Sequence, residues 1–109
     1  MSLDNLKDAI KNRCPVEFEY NKAEKTIGKR TGNPHAVFIL QRKDGSESTK
    51  VHIVQTGGVS DSGQEFPSFR MFHIEELSNV KSIQNSPKFM PSSDYNPAWE
   101  GYAFVIEKI

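Results

Sequence analysis

The sequence predicts a mainly β, α+β domain: an N-terminal helix packed on a small, strongly bent antiparallel sheet or partly open barrel. Three observations predict it. One amphipathic helical stripe stands at the start of the chain. Four to six short β-type segments follow, joined by short turn signals. The last quarter of the chain is rich in proline and aromatic residues. At 109 residues, one domain spanning 1–109 is expected, large enough for a modest core without disulfides.

Residues 2–13 read as the helix. Ser2 or Asp4 can cap it, and Leu3, Leu6 and Ile10 fall on one face with Ala9 beside them. Pro15 should end it at or before Cys14. "VEFEY" alternates, with Val16, Phe18 and Tyr20 on one face and Glu17 and Glu19 on the other, as in a half-buried strand. "NKAEKTIGKRTG" is polar and could hold a loop and a short strand near Ile27. "HAVFILQRK" is continuously apolar at its centre, which implies burial on both sides or a bend. Asp44-Gly45 signals a hairpin, with "TKVHIVQT" returning. "GGVSDSGQEFPS" reads as a long loop, "FRMFHI" as a strand, and "LSNVKSI" as a short strand or a turn and strand.

Residues 84–109 form an expected extended tail carrying Pro87, Pro91 and Pro97. Its end, "YAFVIEKI", fits a strand with Tyr102, Phe104 and Ile106 on one face. A helix with Tyr102, Val105, Ile106 and Ile109 together is the other fit. β-branched and aromatic content favours the strand. The expected core includes Phe18, Phe38, Ile53, Phe72 and Ile74.

Fourteen basic and fourteen acidic residues cancel, so no global field pulls the chain towards nucleic acid or anionic lipid. The single cysteine forms no internal disulfide, and no apolar run suits a signal peptide or a membrane span. A cytoplasmic protein without a membrane partner is the expectation. Cys14 sits where a helix dipole disfavours a thiolate, so it is a poor nucleophile. His35, His52 and His73 are 17 and 21 residues apart and match no local metal motif; neither metal nor cofactor is expected. No phosphate-binding or nucleophile-elbow motif occurs. "TGGVSDSG" could cradle a phosphate on its amides, or serve only as a hairpin loop. Phe89, Tyr95, Trp99, Tyr102 and Phe104 stand among acidic residues. Core completion or a protein contact suits them better than base stacking, and Trp99 could anchor an interface.

"LKDAIKNRCPVEFEY", "RTGNP" and "FRMFHIEEL", in that order, resemble the opening, middle and closing segments of WYL domains. The resemblance covers about residues 3–83. It implies an Sm-like β-barrel in a regulatory, non-enzymatic role. Such domains usually stand behind a winged helix-turn-helix in bacterial regulators or beside nucleic-acid enzymes, and sense nucleotides or strand ends. Tyr20, Arg30, Pro34, Arg70 and Phe72 match the pattern. The name-giving tripeptide stands here as Val51-His52-Ile53, the second closing arginine as His73 and the third as Glu76. No helix-turn-helix is expected before residue 3.

The expected ligand residues are therefore Tyr20, Arg30, His52, Arg70 and His73. They would offer cationic forks and neutral hydrogen bonds to a small anion, either a nucleotide or a nucleic-acid end. The alternative for Arg70 is an internal ion pair with Glu17, Glu19 or Glu75. The alternative function is a structural or interaction subunit that self-associates through its aromatic tail as a homodimer or binds another protein. A small hydrolase or nuclease using the histidines is the third possibility.

Overall fold

The computed structural model describes residues 2–21, 28–59 and 65–109. Helix α1 (Ser2–Asn12) is followed by strands β1 (Val16–Tyr20), β2 (Lys29–Gln41), β3 (Glu47–Gly58) and β4 (Ser68–His73). A one-turn 3-10 helix (Ile74–Glu76) leads into β5 (Leu77–Ser82). A second one (Glu100–Tyr102) precedes β6 (Val105–Lys108).

The stripe of α1 faces inward as its spacing requires. Leu6, Ala9 and Ile10 are buried against the sheet, with Leu3 at the margin. Asp4 is not the cap; it lies in the first turn, where a carboxylate still favours the helix dipole. The helix ends in a Schellman motif. Arg13 N–H donates to the Ile10 carbonyl at 3.1 Å and Cys14 N–H to that of Ala9 at 2.8 Å. The motif needs a left-handed residue, and Arg13 adopts φ 50°.

The strands form one antiparallel sheet ordered β4-β3-β2-β1-β5, with β6 added beside β2. Edge strands β4 and β5 are joined only by the 3-10 turn between them. The sheet curls far enough that Phe18 of β1 meets Phe72 of β4, three strands away, at a ring separation of 5.3 Å. Tyr20 meets Phe72 at 4.9 Å. The bend passes through β2. Its partner on one edge is β1 over residues 29–32, then β6 over residues 36–38, and its register with β3 shifts at Thr31/Gly32 and Pro34/Ala36. Pro34 cannot donate to a ladder, and it sits at this irregularity, where a proline is tolerated inside a sheet. Gly32 lies where a Cβ would come within 2.5 Å of Ile53 Cγ2, so the strands can close here only without a side chain.

Both faces of the sheet are covered. On one, Val16, Phe18, Val37, Val51, Ile53, Phe72, Leu77 and Val80 pack with α1. On the other, Ala36 and Phe38 pack with Tyr102, Tyr95 and Leu40 beneath the tail. This is the two-sided burial that "HAVFILQRK" implies. Phe18, Phe38, Ile53 and Phe72 are core as expected, while Ile74 is half-buried in a 3-10 turn rather than in the strand. The hairpin at Asp44-Gly45 is present, with Gly45 at φ 89° and the Asp44 carboxylate accepting from Ser46 N–H at 2.9 Å.

Several boundaries differ from expectation. β2 starts at Lys29, so "RTGNP" is strand, not loop; the strand expected near Ile27 lies outside the described residues. β3 runs on through Gly57 and Gly58, which removes them from the expected loop and phosphate cradle; Ser60 to Gln64 lie outside the described residues. Gly58, at φ 93°, passes so close to the Lys29 carbonyl that a side chain would collide with it. The C-terminal strand is shorter than expected. Tyr102 belongs to a 3-10 turn, and Phe104 is exposed rather than sharing its face. Among the described residues no helix is long and apolar enough to cross a membrane.

Relieving the left-handed strain at Arg13 is expected to stabilise the fold. Arg13→Gly should gain about 1 kcal/mol, or about 4 °C in Tm by calorimetry. An unchanged or lower Tm refutes the account of the helix end.

Candidate functional site

His35 organises the outer face. Its Nδ1 lies 2.8 Å from the Asn33 carbonyl, which can only accept, so Nδ1 carries the proton. Ser92 N–H donates to Nε2 at 2.9 Å, so Nε2 carries none. Backbone groups thus fix one neutral tautomer, and neither nitrogen is left for a metal. The ring stacks on Phe89 at 5.1 Å and meets Tyr95 edge-on at 5.2 Å. Phe89, Ser92 and Tyr95 all belong to the tail, so this one side chain of β2 fastens the tail to the sheet. Tyr95 adds a second fastening, its hydroxyl donating to the Ile109 carbonyl at 2.7 Å.

The fastened tail and the sheet border an open cleft of about 420 Å³. His52 of β3 and Phe69 and Met71 of β4 come from the sheet; Asp94, Asn96, Trp99 and Tyr102 come from the tail. Strand alternation puts these sheet residues together: His52 lies opposite Met71 in the ladder, and Phe69 is two residues from Met71. His52 Nδ1 and the Tyr102 hydroxyl are 2.6 Å apart. The imidazole also touches Phe69 at 4.9 Å and Trp99 at 5.4 Å, with Phe38 behind it at 4.8 Å. The indole of Trp99 folds over Gly101, where a Cβ would collide with it.

This surrounding fixes protonation. Burial, reinforced by His35, lowers the His52 pKa to about 4. Burial also lowers that of His35, against the opposing effect of its bond to Asn33. Burial, with Tyr95 nearby, raises the Tyr102 pKa to about 12. At neutral pH the cleft therefore holds neutral imidazole and phenol groups, and Asp94 is the only acidic or basic side chain among its described lining residues.

The five residues expected to share a site fall on opposite faces of the sheet. Tyr20, Arg30 and Arg70 are on the barrel side. Arg30 is 1% exposed, its guanidinium 5.3 Å from the Tyr20 ring centroid and 6.0 Å from that of Phe72. Its Nη1 donates to Gln55 Oε1 at 3.3 Å, and Gln55 in turn donates to the carbonyls of Gly57 and Val59. Arg30 is thus an interior packing element rather than a fork at the surface. Arg70 is half-buried, its Nε donating to Ser68 Oγ at 2.8 Å and its guanidinium 5.9 Å from the Phe66 ring. Among the described residues no ion pair joins Arg70 to Glu17, Glu19 or Glu75. The first two lie on the outer face of β1, where Glu17 faces Lys29 at 3.9 Å and Glu19 accepts from Asn79. His52 and His73 are on the other side. His73 is opposite Lys50, away from the cleft lining, and its Nδ1 is buried without a hydrogen-bond partner. His52, expected among the ligand residues, is 8% exposed and lines the cleft.

The cleft residues Phe69, Met71, Asp94 and Asn96 carried no sequence signal of function. The tail aromatics did, but not their meeting with His35 and His52. Cys14 lies apart, its thiol within 3.4 Å of the Pro15 carbonyl. Among the described residues no group of three His, Cys, Asp or Glu side chains gathers as a metal site.

Two measurements test this arrangement. A histidine whose folded pKa lies below its unfolded value of about 6.5 binds fewer protons folded than unfolded, so stability falls as pH drops through that window. Urea midpoints should therefore fall between about pH 7 and about pH 5, and His52→Phe should flatten the slope. A flat wild-type profile contradicts the neutral pair. Arg30→Ala should lower stability by about 2–4 kcal/mol, because it removes buried packing and takes the arginine donor from Gln55 Oε1. A loss under about 0.5 kcal/mol would mean that Arg30 is not an interior element.

Comparison of the chain with protein-family models, with curated proteins and with solved structures finds no match in any of the three.

Proposed function

We propose that this chain is a non-enzymatic, WYL-like binding module that takes a small, flat, aromatic ligand into the cleft between the sheet and the tail. The observation that carries this reading is the cleft itself: about 420 Å³, walled by Trp99, Tyr102, Phe69 and Met71 around a buried neutral imidazole. That volume lies in the range of small-molecule sites, and a mostly apolar wall with a few polar groups is their usual composition. Offset and edge-on contacts with Trp99 and Tyr102 favour a planar ring.

The WYL-like reading is supported by the order of elements: a helix, then a curled antiparallel sheet whose two edge strands are joined by a single 3-10 turn. The expected anionic ligand has less support, because Arg30 is spent in the interior and Asp94 carries the charge at the cleft. A non-enzymatic role is favoured by His52. A base with pKa about 4 lies far from neutral working pH. Phe89 and Tyr102 are buried within the same chain, whereas Met90, Trp99, Phe104 and Val105 of the tail are exposed, so self-association through the tail is the second reading.

Trp99 is the only tryptophan, so its fluorescence reports the cleft directly. Indole analogues, pyridines and pyrimidines should shift it saturably, while a saturated ring of equal size should not. Gly101→Ala, which displaces the indole, should weaken binding about tenfold, the effect of losing one good aromatic contact. No response from any aromatic probe at about 10 mM, weaker than about 3 kcal/mol of binding, would end this reading.

A further inference from the structure

The polar groups of the cleft select among flat rings, and their bonding partners determine what each can offer. Asn96 Oδ1 accepts from Ala98 N–H at 3.0 Å, which identifies the amide oxygen and leaves Nδ2 as a donor. Asp94 is exposed at the rim. Its backbone N–H donates to Ser92 Oγ, and its carboxylate makes no hydrogen bond or ion pair among the described residues. A carboxylate can only accept. His52 Nδ1 is engaged by Tyr102, so Nε2 is the nitrogen left for a ligand. A carboxylate acceptor and an amide donor, two residues apart in the chain, therefore both line an aromatic slot that also holds an imidazole.

From this pairing we infer that the cleft selects uncharged aromatic heterocycles that carry an exocyclic amino group beside a ring nitrogen. The amino group donates to Asp94 and the ring nitrogen accepts from Asn96 Nδ2. The ring lies against Trp99 and Met71. A ring with a carbonyl and a ring N–H at the same two positions presents acceptor to acceptor and donor to donor, and is rejected. An anionic substituent placed towards the rim meets the Asp94 charge. The inference rests on the binding role proposed above and gives it a ligand class.

Cytosine and uracil are matched probes, equal in ring size and opposite along this edge. Titrated against the full chain and read by Trp99 fluorescence, cytosine should bind at least about tenfold more tightly than uracil. Asp94→Asn should bring the two within about threefold of each other, with the melting curve unchanged because the Asp94 side chain holds no part of the fold. Cytidine should bind like cytosine, and cytidine monophosphate no more tightly, which separates a base or nucleoside ligand from a nucleotide. Equal binding of cytosine and uracil would overturn the inference and leave the binding role standing. A preference that survives Asp94→Asn would overturn the assignment of Asp94 as the acceptor, and the inference with it. Failure of both probes and of every other aromatic ring would overturn the binding role too.

Discussion

One imidazole holds the outer half of this molecule together. His35 donates to the Asn33 carbonyl and accepts from Ser92 N–H, so a side chain of β2 bridges its own strand and a residue 57 positions later. Without that bridge the tail loses its most specific polar contact with the sheet. The walls supplied by Asp94, Asn96, Trp99 and Tyr102 all follow the bridged segment, so the cleft exists only while the tail is fastened. The bridge also constrains chemistry. Its two partners are backbone groups of fixed polarity, and only the neutral ring satisfies both. Protonation would set an N–H against the Ser92 N–H. A fold that depends on this contact is a fold that prefers neutral pH.

The same burial that makes His35 structural makes His52 receptive. Both rings are shielded by aromatics, both have pKa values lowered by burial, and His35 further disfavours charge on His52. They differ in what is left over. His35 has two partners for two nitrogens. His52 has one, the Tyr102 hydroxyl, and its remaining nitrogen belongs to a residue that lines open space. Across the sheet the barrel interior handles polarity differently. Arg30 lies over the rings of Tyr20 and Phe72 and donates a hydrogen bond to Gln55, which ties down the end of β3.

Local pattern carried much of the fold in the sequence. The stripe of Leu6, Ala9 and Ile10, the alternation in "VEFEY" and the Asp44-Gly45 turn each depend on neighbours within a few residues, and each stands where the pattern put it. What failed was non-local. The polar run that ends in Arg30-Thr31-Gly32 reads as a loop, yet β2 passes through it because its edge is paired first with β1 and then, beyond Pro34, with β6. Tyr102 looked like a strand residue because its alternation with Phe104 and Ile106 is regular. Its hydroxyl's contact with His52, 50 residues away, and its packing on Phe38 hold it in a turn instead. No periodicity encodes such pairings.

The site shows where that limit falls. In a strand, a shift of one residue changes the face, so Arg70 and Phe72 were separable from Met71 and His73 by parity alone. Applied to β3, parity also sets Ile53 and Gln55 against His52. Grouping Arg70 with His52 and His73 ignored this rule, and the structure divides them accordingly. Parity cannot say which face carries an opening. On the barrel side α1 and the curl of the sheet close the space over Phe18, Ile53 and Phe72. On the outer side, among the described residues, the tail covers the sheet, and a chain segment with Pro91 and Pro97 is poorly suited to lie flat as another strand. It stands off from β3 and β4, touching down at His35 and again at Tyr102. The gap between those two contacts is the cleft. The prolines that mark the tail as irregular in sequence are thus also what keeps space open above His52.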